Sequence, residues 1–137
     1  MATVLIVDDD PVSRVLLKSI LDNLGYTTFE AEDGRSATHL YRQHLHDVVL
    51  LDMIMPDKDG FETLFDLRNS NRDAKIVMMT GGGMFTVNLY EQFAQSLHIP
   101  HLLIKPFVPE NVARAVAETL NNAERDQILQ GQSGFRV

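Results

Sequence analysis

The sequence contains no cysteine and no tryptophan among its 137 residues. The missing cysteine excludes disulfides, thiol catalysis and zinc sites with cysteine ligands. No segment approaches the run of roughly 20 apolar residues that a membrane-spanning helix needs, and the first residues lack the pattern of a signal peptide. We therefore expect a cytoplasmic protein.

Clusters of Lys and Arg are also missing, and acidic residues exceed basic ones by seven. The whole excess lies in residues 1–73, which hold 14 acids and 7 bases, whereas residues 74–137 hold five of each. A net acidic chain of this kind is a poor candidate for direct binding to nucleic acid or to an anionic membrane. The uneven distribution suggests that some acids converge on one site.

Five short apolar runs alternate with five segments of helical periodicity. Strands are predicted at 3–7, 26–30, 47–51, 75–79 and 101–104, and helices at 11–24, from 34 to about 44, and at 61–69, 87–97 and 109–120. This alternation predicts a parallel α/β sheet with helices on both faces. Residues 1–121 form the predicted domain, and the polar stretch 122–137 is either the end of the last helix or a flexible tail.

Polar residues stand directly after four of the predicted strands. They are Asp8 and Asp9, Asp52, Thr80 and Lys105, after the first, third, fourth and fifth strands. In an open parallel sheet, ligands bind beyond the carboxyl ends of the strands, where the strand order reverses. The sequence therefore predicts one site built from these five side chains.

The chemistry of such a site follows from its charges. Three carboxylates placed together repel one another unless a cation lies between them, and Mg²⁺ is the natural choice, with Mn²⁺ as an alternative. A carboxylate can attack phosphorus to give an aspartyl phosphate. The metal, the Lys105 ammonium and the Thr80 hydroxyl could then neutralise the charge of the transferred phosphoryl group.

The set of motifs resembles the receiver domain of two-component response regulators over about residues 3–120. The motifs are Asp8-Asp9, Asp52 with Met55-Pro56 and Asp59-Gly60, then Thr80, then Lys105-Pro106-Phe107. Each is weak alone, but their order and spacing together are specific. The resemblance implies a flavodoxin-like fold with strand order 2-1-3-4-5 and five helices.

The resemblance also implies roles for individual residues. Asp52 would accept a phosphoryl group from a histidine kinase or a histidine phosphotransfer protein, and phosphorylation would switch binding of a downstream protein partner. The implied metal ligands are Asp8, Asp9, Asp52 and the backbone carbonyl of Met53. Such a domain is a signalling module that catalyses only its own phosphorylation and dephosphorylation.

Further implied roles concern the residues that respond to the phosphoryl group. Thr80 would move to a phosphoryl oxygen, Lys105 would pair with it, and the Lys105-Pro106 bond would be cis. Two positions depart from the family pattern. Leu102 replaces the usual aromatic residue, whose ring swings inward when the Thr moves, and Gly81 replaces the usual Ala beside the site.

Two other functions compete with this prediction. Asp8-x-Asp10 matches the nucleophile motif of haloacid-dehalogenase-type phosphatases, with Asp8 as nucleophile and Asp10 as acid, although Pro11 and the short chain argue against it. The Leu102 departure keeps a receiver-like binding module that is never phosphorylated under consideration. No output domain is recognisable, which predicts either a stand-alone or an excised receiver.

Residues of less specific pattern are predicted to be structural. The methionines, among them Met53, Met78 and Met79, are expected in core and loop packing. The five histidines, including His44-x-His46, lack metal-ligand spacing and are expected at the surface. Gly81–Gly83 lacks the Lys-Ser/Thr of a phosphate-binding loop and reads as a connection.

Overall fold

The computed structural model describes residues 2–55, 58–81 and 84–133, with the backbone alone for 84–87 and 122–133. Strands and helices alternate along the chain. They are β1 (Thr3–Val7), α1 (Pro11–Asn23), β2 (Thr27–Ala31), α2 (Gly34–His44), β3 (Val48–Asp52), α3 (Gly60–Ser70), β4 (Ile76–Thr80), α4 (Met84–Ser96), β5 (Leu102–Ile104) and α5 (Pro109–Ser133). The predicted motif residue Pro56 and the glycines Gly82 and Gly83 lie outside the described residues.

The five strands form one parallel sheet in the order β2-β1-β3-β4-β5. The register aligns Val7 with Leu51, and Asp52 with Met79. The predicted fold and strand order are therefore confirmed. We call the side where the strands end the carboxyl edge of the sheet, and the side where they begin the amino edge.

Alternate residues of the central strands face two separate cores. One core lies under α2, α3 and α4 and the other under α1 and α5. From β1 and β3, the first core takes Leu5, Val7, Val49 and Leu51, and the second takes Val4, Ile6, Val48 and Leu50; all eight are fully buried. Burial on both faces is the reason that these strands read as continuous apolar runs.

Side-chain caps fix where three helices begin. Asp10, Asp33 and Asp59 precede α1, α2 and α3, and each carboxylate accepts a hydrogen bond from a backbone amide in the first turn. An N-cap of this kind satisfies donors that the helix itself cannot pair. After α1, Gly25 adopts a φ of 90°, which only glycine enters without strain. Asp10 and Gly25 therefore mark the two ends of α1.

The apolar spacing in α1 marked a helix but not its buried face. Val12 and Val15 are 72% and 67% exposed, while Leu17 and Leu21 are fully buried. Leu17 and Leu21 are four residues apart and share the side that packs on the sheet, with Ile20 partly buried beside them, so Val12, Val15 and Leu16 point outward. Around Val12, Val15 and Leu16 the helix therefore presents an exposed apolar surface.

Three helices are longer than predicted, and α3 (Gly60–Ser70) differs least, by one residue at each end. Helix α4 begins at Met84, three residues before the predicted start, and α5 continues to Ser133. Between Leu120 and Gly131 neither proline nor glycine interrupts the helical sequence, so nothing in the backbone chemistry ends the helix at 120. No helix in the described part of the chain is both long and apolar enough to span a membrane.

The surface prediction was wrong for His46. This residue is only 2% exposed, its ring meets that of Phe29 edge-on at 4.7 Å, and Tyr41 lies beside it. Burial and the neighbouring His44 lower the pKa of His46 to about 4. His46 stands just before β3 at the amino edge, where the chain turns under Phe29, so the ring fills the core instead of meeting solvent.

Candidate functional site

Three carboxylates converge at the carboxyl edge. Asp8 and Asp9 follow β1, and Asp52 ends the neighbouring strand β3, so one carboxylate oxygen from each lies within 4.8 Å of the others. Asp8 is fully buried, Asp52 is 3% exposed, and Asp9 faces solvent. The acids that the sequence predicted to share a cation are therefore brought together, with one of them open to the solvent.

A lysine from another strand reaches the two buried acids. Lys105 follows β5, and its Nζ lies 2.8 Å from Asp8 Oδ2 and 3.3 Å from Asp52 Oδ2. Its backbone amide donates to the carbonyl oxygen of Thr80, which anchors the start of the side chain at the end of β4. The Lys105-Pro106 bond is cis, as predicted. One ammonium thus bridges the two buried carboxylates.

Backbone amides hold the other oxygens of the same two acids. The Ile54 amide donates to Asp52 Oδ1 at 3.0 Å, and the Asp10 amide donates to Asp8 Oδ1 at 2.9 Å. Each buried carboxylate therefore has one oxygen fixed by a loop amide and the other directed at Lys105. The two loop amides therefore orient the carboxylates and leave the Oδ2 atoms of Asp8 and Asp52 to face Lys105.

The pKa values reflect the crowding of charge. Burial and the charge of Asp8 raise the pKa of Asp52 to about 6, although the Ile54 amide and Lys105 act in the opposite direction. Burial lowers the pKa of Lys105, but its hydrogen bond to Asp8 and the negative charges of Asp52 and Asp8 raise it overall. Burial is the largest of these causes, and the negative charge of Asp8 adds to it. Three carboxylates stand against one ammonium here, so an additional cation is favoured at this site.

The remaining predicted site residues occupy different positions. Thr80 is fully buried and ends β4, one residue beyond Met79, which pairs with Asp52. The carbonyl of Met53 accepts a hydrogen bond of 3.2 Å from the Gly60 amide. Leu102 lies earlier on β5 and packs into the core under α4, away from the carboxylates. Of these, Thr80 stands next to the acids and Leu102 does not.

Two further residues support the site: Arg14 was not found from the sequence, and Gly60 was found there only as part of the Asp59-Gly60 motif. Arg14 donates from a guanidinium nitrogen to the backbone carbonyl of Asp8 at 2.7 Å, and its Nε lies 3.4 Å from Glu30 Oε1. Gly60 lies against the loop after β3, because a Cβ there would stand 2.3 Å from the Met53 Cα. Their positions in the sequence are the signal that could have identified them as supporting residues. Arg14 lies in the first turn after the Asp10 cap, and Gly60 directly follows the Asp59 cap.

Asp10 is engaged in capping. Its carboxylate accepts hydrogen bonds from the Val12 amide and the Ser13 hydroxyl, both at 3.0 Å. These bonds lower the pKa of Asp10. A phosphatase acid must carry a proton near neutral pH, so its pKa would have to be raised instead. The capping geometry therefore argues against the predicted phosphatase alternative.

Comparison with known proteins gives a consistent result. The profile of the response regulator receiver domain matches residues 4–117. The chemotaxis protein CheY of Bacillus subtilis is 31% identical over 121 residues, covering 86% of this chain and 97% of that protein. A probable transcriptional regulator, ycf27, of Guillardia theta is 34% identical over 123 residues, covering 88% of this chain but 47% of that protein. The structure of CheY4 of Vibrio cholerae has a TM-score of 0.78 and 30% identity, covering 88% and 99%.

Proposed function

Since the chain belongs to the response regulator receiver domain family and so serves two-component signalling, we propose that Asp52 is its phosphoacceptor. The observation that carries this proposal is the convergence of three carboxylates and one lysine at the carboxyl edge. Asp52 combines burial, a fixed orientation through the Ile54 amide and an oxygen directed toward Lys105. These properties suit a carboxylate nucleophile.

The metal ligands we propose are the carboxylates of Asp8, Asp9 and Asp52. Three oxygens within 4.8 Å form the hard donor set that Mg²⁺ or Mn²⁺ prefers. The backbone carbonyl of Met53 is the proposed fourth ligand, and its bond to the Gly60 amide leaves one lone pair for this purpose. The ion supplies positive charge that neutralises the phosphoryl oxygens during transfer.

In the proposed transfer step, a carboxylate oxygen of Asp52 attacks the phosphorus of a phosphohistidine. The new O–P bond forms as the N–P bond to the imidazole breaks, and the imidazole nitrogen leaves with the electron pair of that bond. Lys105, already 3.3 Å from Asp52, pairs with the added negative charge. Thr80, at the end of the adjacent strand, donates a hydrogen bond from its hydroxyl group to a phosphoryl oxygen. Both groups act where charge develops.

We further propose how the chain acts in a signalling pathway. Its donor is a histidine kinase or a histidine phosphotransfer protein, and its output is altered binding of a protein partner. Leu102 has no aromatic ring, so the response to Thr80 would pass through aliphatic packing under α4. The proposed functional unit is residues 1–121, with 122–137 as an extension, and the proposed location is the cytoplasm. The domain catalyses its own phosphorylation and dephosphorylation and has no separate metabolic substrate.

Mass spectrometry of the intact chain tests the acceptor. Incubation with acetyl phosphate and Mg²⁺ should add one phosphoryl group, which site mapping should locate on Asp52. The increment should vanish without Mg²⁺ and in Asp52→Asn. Asp22→Asn, which changes an exposed acid on α1, serves as the matched control and should be phosphorylated like the wild type. Absence of any Mg²⁺-dependent increment in the wild type would overturn the proposal and favour the unphosphorylated binding module.

A further inference from the structure

A second polar cavity lies at the amino edge, opposite the carboxylates. Its volume is about 390 Å³, and it opens between the start of β4 and the segments that lead out of α3 and α4. The residues that line it are Arg68, Arg72, Asp73, Ala74, Lys75, Ile76, His98, Pro100 and Thr119. The length of β4 separates it from Thr80 by roughly 13 Å. We call it the amino-edge cavity.

The charge of the amino-edge cavity is opposite to that of the carboxylate site. Arg68, Arg72 and Lys75 contribute three permanent cations, and Asp73 is the acid among the described lining residues. His98 adds an imidazole. In a chain with a net charge of −7, this local excess of positive charge stands out. Two arginines on one wall suit oxyanions, because a guanidinium donates paired hydrogen bonds to carboxylate and phosphate groups.

Two buried donors in this lining have no partner. The Nε of Arg68 and the hydroxyl of Thr119 are buried and make no hydrogen bond within the described part of the chain. Thr119 is 3% exposed, and Arg68 uses a terminal nitrogen to hold the carbonyl of Leu97. Neither atom has accessible surface, so both lie behind the wall of the cavity, and the charges of Arg68 and Arg72 are what favour an oxyanion guest.

We propose that the amino-edge cavity binds a compact multivalent oxyanion, a phosphate-bearing or polycarboxylate small molecule, with the guanidinium groups of Arg68 and Arg72 as the donors. The volume falls in the range of small-molecule sites. Ala74, Ile76 and Pro100 supply apolar surface for the body of such a ligand. This proposed site does not depend on phosphorylation at Asp52, so the two proposals are tested independently of each other.

The test is a titration of the metal-free full chain, in which binding is monitored through amide chemical shifts in ¹H–¹⁵N spectra. Pyrophosphate and citrate are the probes, with sodium chloride at matched ionic strength as the reference. We expect saturable shifts at Ala74, Ile76 and His98 with at least one probe. Saturation by pyrophosphate alone assigns the site to phosphate groups, whereas saturation by both assigns it to polyanions in general. Shifts that do not saturate, or that occur mainly at Asp52 and Lys105, overturn the proposal.

Variants separate this binding from general electrostatic attraction. Arg72→Gln removes an exposed cation of the cavity and should weaken binding at least fivefold. Arg114→Gln removes an exposed cation of α5 outside the cavity and should bind like the wild type. Equal weakening in these two variants, which change the net charge by the same amount, would mean that only net charge matters, and the site would be rejected. Unchanged spectra elsewhere in each variant establish that it remains folded.

Discussion

The carboxyl edge and the amino edge of this sheet are both polar, but they are polar in different ways. At the carboxyl edge, the buried acids Asp8 and Asp52 are held by amides and bridged by Lys105. At the amino edge, His46, Arg68 and Thr119 bury polar atoms that have no hydrogen-bond partner among the described residues. The carboxyl edge shares this feature at Asp8 Oδ2, but that oxygen faces Lys105 at 2.8 Å, so an excess of like charge is what distinguishes the carboxyl edge.

This contrast indicates where a ligand would lower the free energy of the fold. Like charges at the carboxyl edge favour a cation, and the cationic lining of the amino-edge cavity favours an anion. A third possibility applies to His46, whose ring is enclosed by Phe29 and Tyr41. There, the folded state simply keeps the imidazole neutral. Acid should therefore affect the two edges in opposite directions.

The largest effect should come from His46 at the amino edge. Its pKa is about 4 in the folded chain and near 6.5 when unfolded, so the unfolded state binds the proton first. The stability that the neutral ring contributes is complete above pH 6.5 and is lost as the pH falls toward 4. Urea unfolding should show the wild type losing about 3 kcal/mol more than His46→Leu over this range.

The matched control for this prediction is His39→Leu, since His39 is exposed on α2. It should retain the pH dependence of the wild type. Parallel pH curves for the wild type and His46→Leu would show that the ring is protonated in the native state, and the contrast between the two edges would then fail.

Asp52 should give the next largest effect, with the opposite sign. Its raised pKa means that the folded state keeps a proton between pH 3.8 and about 6, while the unfolded state loses it. The wild type therefore loses stability as the pH rises through this range. Without metal at pH 8, Asp52→Asn should be more stable by about 2 kcal/mol, and the gain should disappear near pH 4.

Chemical denaturation at both pH values measures this difference, with Asp22→Asn as a control of equal charge change. Added Mg²⁺ should stabilise the wild type and leave Asp52→Asn nearly unchanged. A destabilised Asp52→Asn at pH 8 would show that Lys105 compensates the acids fully, contrary to the crowding described above.

A smaller effect is expected from Arg14, which holds the carbonyl of Asp8. Arg14→Gln should leave the carboxylates in place but loosen the loop that carries them, and Mg²⁺ affinity should fall about fivefold, or about 1 kcal/mol. Calorimetric titration with Mg²⁺ measures this change. Glu30→Gln removes only the partner of Arg14 and should have a weaker effect in the same direction. Equal affinity in all three proteins would restrict Arg14 to a structural role.

Gly81 should give the smallest effect. A Cβ at this position would meet the Lys105 side chain at 3.5 Å, which is ordinary contact, so the space beside the site can hold a methyl group. Gly81→Ala should stabilise the fold by about 0.5 kcal/mol because it restricts the unfolded chain. Thermal unfolding checks the sign. A loss of stability would mean that the carboxyl edge is packed more tightly than the contact distance indicates.

The sequence was most informative where one local signal determined the structure. Burial on both faces produced the continuous apolar runs of β1 and β3, and helical periodicity marked α1. Convergence of Asp8 and Asp52 followed from parallel strands alone. The orientation of α1, however, depends on which side meets the sheet, and apolar spacing cannot distinguish this from an exposed apolar surface. The burial of His46 depends on Phe29, from another strand, which no local pattern contains.

The contacts around Gly60 restrict which amino-acid substitutions this sequence can accept during evolution. Any side chain at position 60 would collide with the backbone of Met53, next to the proposed acceptor. The start of α3 and the loop after β3 are therefore not independent units of variation. A mutation that enlarges residue 60 would persist only with a second change that moves the loop, and that change would displace Asp52. Function thus restricts the sequence at a residue that takes no part in the chemistry.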